Sequence, residues 1–203
     1  MSDFRLEGEV RIPVLALHAL VAAADRGGEP VAAAVREAGR ATGEDITRRI
    51  TQVVSLSELD TDDFWSAVNA ETGARGLGTF HWASSVGGHA ELVVFDAADA
   101  EEGVRSSTGR RAVPFTEGLI EGLLGAAAEE PVAAVQAPPD GGEGARFVVG
   151  SPTALRHVRL RLQAGASLEQ ALEGICTRSP GESWHWTTVV AESASQSPTH
   201  CAR

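Results

Sequence analysis

The sequence predicts an α+β fold, with a four-stranded, mostly antiparallel sheet and helices packed mainly on one face. Two observations carry that prediction. Helix-then-hairpin patterning occurs twice, over roughly residues 61–96 and 115–150. Two helical stretches precede the first unit and two follow the second. A chain of 203 residues is long enough for one domain with a real core, and its apolar fraction of 43% is that of an ordinary globular protein.

Residues 1–14 are expected to form a leader to a single domain over 15–176. The opening MSDFRLEGEVRIP has acidic residues and no apolar segment, so it does not read as a signal peptide. VLALHALVAAADRGG reads as a helix stopped by Gly27 and Gly28, with His18 at its core margin. Glu29-Pro30 opens a second helix running to about Val54, with a break expected near Gly43. Its alanines permit close contact with another helix, of this chain or of a second copy. Thr61-Asp62-Asp63 starts a third helix, with acids in the first turn where the helix dipole favours them. A cation site at Asp60, Asp62 and Asp63 would need more oxygen ligands than the stretch offers. Phe64, Trp65 and Val68 fall on the inward face of that helix.

Gly76 to Asp96 reads as a hairpin. Alternation puts Phe80 and Trp82 on one face and His81 on the other. His81 and His89 share a face only if the turn register allows it, and two histidines are fewer ligands than zinc takes. DAADAEEGVRSSTGRRAV reads as an exposed loop, with Arg105, Arg110 and Arg111 as a candidate anion site.

The stretch from Pro114 to Pro152 organises the rest. Thr116 is the expected cap of a helix on which Leu119, Leu123 and Ala127 form one stripe. Phe115 lies a turn before that stripe, with Ile120 and Leu124 beside it. Gly118 and Gly122 sit four apart on one side of the same helix. Each costs about 1 kcal/mol relative to Ala in a helix interior, so the pair predicts close approach by another backbone. Strands over Pro131–Val135 and Ala145–Val149 are joined by the turn-rich PPDGGEG. A helix capped by Ser151 with Pro152 in its first turn follows. A short last helix is capped by Ser167, with Glu169 suggesting a capping box. Residues 177–203 form an extension, in which SWHWTTVVA reads as an extra strand before a Ser-rich tail expected to be disordered.

The net charge of −11 argues against a nucleic-acid partner, since phosphate binding needs a basic surface. All 17 basic residues are arginine, which fits the high-GC coding bias of a bacterial-type sequence. No apolar run reaches the roughly 18–20 residues needed to span a bilayer. The two cysteines, Cys176 and Cys201, suit a reducing compartment, so the cytoplasm is the expected location. There is no GxxxxGK[ST] loop, no GxGxxG between a strand and a helix, and no GxSxG elbow. No cofactor, metal or catalytic residue is therefore expected.

FTEGLIEGLLG, a hairpin and then RFVVGSP resemble the 4-vinyl reductase domain family, part of a TRAPP-like ligand-binding superfamily. The likeness extends over about residues 15–175. It implies a TRAPP-like fold, a homodimer, and an apolar pocket between the glycine-marked helix and the sheet. The pocket would hold a small hydrophobic molecule against Phe80, Trp82, Phe115, Leu119, Leu123 and Phe147, with Gly118 and Gly122 as close-packing positions. The family often has cysteine in the second hairpin. Here Ala145 precedes Arg146 and Phe147, so thiol or metal chemistry is not carried over. The function implied is a non-enzymatic ligand-binding or sensory domain. The alternatives are a protein-assembly module with a protein partner, like the TRAPP subunits, and an enzyme or accessory protein of tetrapyrrole metabolism. The missing nucleotide-binding motif counts against an autonomous reductase, which needs an electron carrier.

Overall fold

The computed structural model describes residues 14–86, 89–97, 113–138 and 144–173. The expectations for residues 1–13, for the His18 side chain, for the arginines of 98–112 and for the extension from 177 lie outside the described residues.

The elements run α1 (Val14–Gly27), α2 (Glu29–Val53), a short 3-10 turn, α3 (Thr61–Ala74), β1 (Thr79–Val86) and β2 (His89–Phe95). They continue with α4 (Pro114–Ala128), β3 (Ala133–Gln136), β4 (Ala145–Gly150), α5 (Pro152–Gln163) and α6 (Leu168–Leu172). The strands form one sheet in the order β1-β2-β4-β3, and every neighbouring pair is antiparallel. The predicted fold class is the observed one.

Alternation along the strands assigns the two faces. Phe80, Ala90, Leu92, Val94, Ala134, Phe147 and Val149 point into a large apolar cluster shared with α1, α2, α3 and α4. Val135 and Val148 point the other way, into a smaller cluster with Leu155, Val158 and Leu162 of α5 and Ala171 of α6. Among the described residues, four helices thus lie on one side of the sheet and two shorter ones on the other, over β3 and β4. The directly paired His81 and Val93, and with them Glu91 and His89, share that second face.

Three local expectations are corrected. Helix α2 does not break at Gly43 but runs unbroken to Val53. Gly43 is a contact point: a Cβ there would lie 2.2 Å from the carbonyl oxygen of Leu119. Thr116 does not cap α4. The helix begins two residues earlier at Pro114, whose fixed φ suits a first turn, and Thr116 is buried inside it. The capping box of α6 is closed by Gln170, which occupies the third helical position, and not by Glu169.

Helices α2 and α4 touch backbone to backbone. A Cβ on Gly39 would lie 2.1 Å from the Phe115 carbonyl oxygen, and one on Gly118 would lie 1.9 Å from that of Arg36. Gly122 faces the Arg40 carbonyl at 2.0 Å in the same sense. The register rises together on both helices, so they run parallel. Thr47 closes the contact by donating its hydroxyl to the Leu123 carbonyl at 3.0 Å.

Candidate functional site

All six sequence-derived candidates lie in the large apolar cluster between the sheet and the helices. The register places Trp82, Leu92 and Phe147 in one row across β1, β2 and β4. Phe80 lies in the neighbouring row, opposite Val94. From the helix side, Phe115, Leu119 and Leu123 form a stripe at four-residue spacing, which the helical repeat turns to one face. Phe80, Leu119, Leu123 and Phe147 are fully buried and Phe115 nearly so. Trp82 is the one of the six that is only half-buried.

Trp82 does not stand alone. Its ring lies 6.0 Å from that of Trp65 at a tilt of 31°, and Trp65 meets Phe64 edge-on at 5.3 Å. This aromatic run joins α3 to β1, with Trp82 as its partly exposed member. Aromatic faces at such distances attract apolar and aromatic molecules through dispersion and quadrupole terms.

Polar groups frame the cluster at both sheet edges. On the β1 edge, the Phe80 amide donates to Asn69 Oδ1 at 2.7 Å, and Asn69 Nδ2 donates to the Phe80 carbonyl at 2.9 Å. On the β3 edge, the Ala134 amide donates to Glu121 Oε1 at 2.9 Å and the Gln136 amide to Glu117 Oε1 at 3.0 Å. Arg36 of α2 binds both carboxylates and also donates to the Ala134 carbonyl at 2.8 Å. Arg159 of α5 reaches the same carbonyl at 3.2 Å and lies 3.6 Å from Glu117.

Burial sets the electrostatics here. It pushes the Glu117 carboxyl upward, against the pull of Arg36, of the Gln136 amide and of Arg159. Burial works to lower Arg36, but the Glu121 hydrogen bond and the charges of Glu117 and Glu121 outweigh it and raise the guanidinium. On the second face, burial lowers the pKa of His89 against the opposing charge of Glu91.

Sequence reasoning singled out neither Asn69 nor the Arg36, Glu117, Glu121 and Arg159 set. A signal for the acidic pair was present. The repeat EGLIEGLLG puts two carboxylates one turn apart in an otherwise apolar helix, where each needs a partner. Among the described residues, no group of three or more His, Cys, Asp or Glu is arranged to hold a metal ion.

No protein-family model matches the chain, and no curated protein matches it. A solved structure shares its fold. The phenol-responsive sensory domain of the transcription activator PoxR, determined with phenol, superposes with a TM-score of 0.52. The identity is 12%, over 70% of this chain and 75% of that one. Among the described residues, no helix is long and apolar enough to cross a membrane.

Proposed function

We propose that this chain is a non-enzymatic sensory domain that binds a small hydrophobic molecule, in the manner of the 4-vinyl reductase domain family and its TRAPP-like relatives. The observation that carries the reading is the fold shared with a sensory domain that binds phenol. The site is the layer between α4 and the sheet, lined by Phe80, Trp82, Phe115, Leu119, Leu123 and Phe147. Trp82 is its entrance, because it combines partial exposure with an aromatic neighbour in Trp65. The chain acts in the cytoplasm as a homodimer. Exposed Ala33, Ala34, Ala38 and Ala41 on α2 support a helix-to-helix dimer contact.

A protein-assembly role is the second reading. It is favoured by large apolar side chains left in solvent on neighbouring helices, Leu20 on α1 and Val53 at the end of α2.

Native mass spectrometry on gently purified protein, followed by a phenol titration read from tryptophan fluorescence, tests the proposal. The expected result is a dimer that carries a discrete extra mass or binds phenol saturably. Trp82→Ala should weaken that retention more than it lowers the melting temperature. A dimer without added mass, with no saturable phenol response, shifts the reading to assembly. Loss of stability alone in Trp82→Ala makes Trp82 a packing residue, and a monomer removes the dimer.

A further inference from the structure

At the β3 edge one carboxylate meets an arginine from each layer of helices. Glu117 sits on α4, in the large layer, with its side chain 16% exposed. Its Oε1 accepts from the Gln136 amide, while Oε2 faces Arg36 of α2 and, at 3.6 Å, Arg159 of α5. Glu121 on its own helix is the one other carboxylate in the cluster among the described residues, and it pairs with Arg36. Arg36 donates Nε to Glu121 Oε2 at 2.9 Å and Nη2 to Oε1, and it also reaches the Ala134 carbonyl.

The two arginines therefore depend on Glu117 unequally. Without the Glu117 charge, Arg36 keeps two bonds to Glu121 and one to Ala134. Among the described residues, Arg159 keeps its 3.2 Å bond to the Ala134 carbonyl. The Gln136 amide keeps its acceptor, because a protonated carboxyl still offers a carbonyl oxygen.

We propose that Glu117 is a proton-operated latch between the two layers: ionised, it holds α5 through Arg159, and protonated on Oε2 it releases Arg159 while α2, α4 and β3 stay joined. The sign is consistent with a working switch and not with simple acid unfolding. Burial favours the neutral carboxyl in the folded state, so the folded chain takes up this proton before the unfolded one. Protonation of this group thus adds to global stability as pH falls through its folded value, while loosening one helix.

The test is amide hydrogen exchange on the full chain, corrected for intrinsic rates, between pH 7.5 and pH 4.5. In the parent, protection of α5 should fall by about fivefold relative to α2 and α4, the scale of one half-buried ion pair. His157 is exposed on α5 itself and is a second ionisable side chain there, so the control is His157→Gln, in which the fall should persist. Glu117→Gln should show the loosened α5 at both pH values, with no further change, whereas Glu121→Gln should retain the pH response. If Glu117→Gln does not fold, Arg159→Ala must abolish the pH response by itself. Protection of α5 that tracks α2 and α4 at every pH overturns the proposal. A pH response that survives in Glu117→Gln or Arg159→Ala, or vanishes in His157→Gln, also overturns it.

Discussion

A methyl group at Gly118 would fall 1.9 Å from the carbonyl oxygen of Arg36, and that atom belongs to a helix backbone that cannot turn aside. Helix propensity alone would reward Gly118→Ala by up to about 1 kcal/mol. The clash with α2 outweighs this, because α2 and α4 must separate to admit the atom. We predict a net loss of about 2–3 kcal/mol, from overpacking. Gly73 is the contrasting case: it is exposed in α3, and a methyl carbon there would meet nothing within 4 Å. Gly73→Ala should gain about 0.5–1 kcal/mol. Urea denaturation of both variants checks the pair, and a Gly118→Ala protein as stable as its parent would refute the contact. Gly118 and Gly122 are legible in the sequence because two glycines one turn apart weaken a helix for no local reason. Gly39 and Gly43 carry the same spacing on α2. Their role was not legible, since a glycine in an alanine-rich stretch is the same letter whether it breaks the helix or meets another one. Only the partner backbone decides between the two.

At the scale of elements, the sheet is notable for how its edges end. A bare edge strand offers unpaired amides and carbonyls to any other strand. Here β1 is closed at Phe80 by the Asn69 side chain, and β3 is closed by Glu117, Glu121, Arg36 and Arg159. Asn69→Ala strips both partners from the backbone of a residue whose own surface is fully buried. We predict a loss of about 2–3 kcal/mol, the cost of leaving buried polar groups unpaired. Light scattering at raised temperature should also show earlier association through the opened β1 edge. An Asn69→Ala protein with parental stability and no added scattering would mean that the edge finds another partner. Strand positions came from alternation in the sequence, which is a local signal. Edge closure is not local. Arg36 and Glu117 are 81 residues apart, and no pattern near either one names the other.

At the scale of the whole molecule, the described residues form two apolar clusters of unequal size that share one sheet. The doubled helix-hairpin unit made the sheet and its larger layer legible. The placement of α5 and α6 across the sheet left a fainter trace: FVVG in β4 is apolar at successive positions, as a strand covered on both faces must be. Phe147 and Val149 serve the large cluster and Val148 the small one. Among the described residues the small cluster is built from few side chains and rests on β3 and β4, so it should open without the rest. Leu155 on α5 and Leu119 on α4 are both essentially fully buried, and truncating either removes about the same apolar volume. Leu119→Ala should cost about 2–5 kcal/mol and lower hydrogen-exchange protection throughout α2, α4 and the sheet. Leu155→Ala should instead speed exchange by about tenfold or more in α5 and α6, leaving α2 and α4 close to parental protection. Equal loss of protection everywhere in Leu155→Ala would mean that the two clusters open as a single unit, with the sheet transmitting the defect from one face to the other.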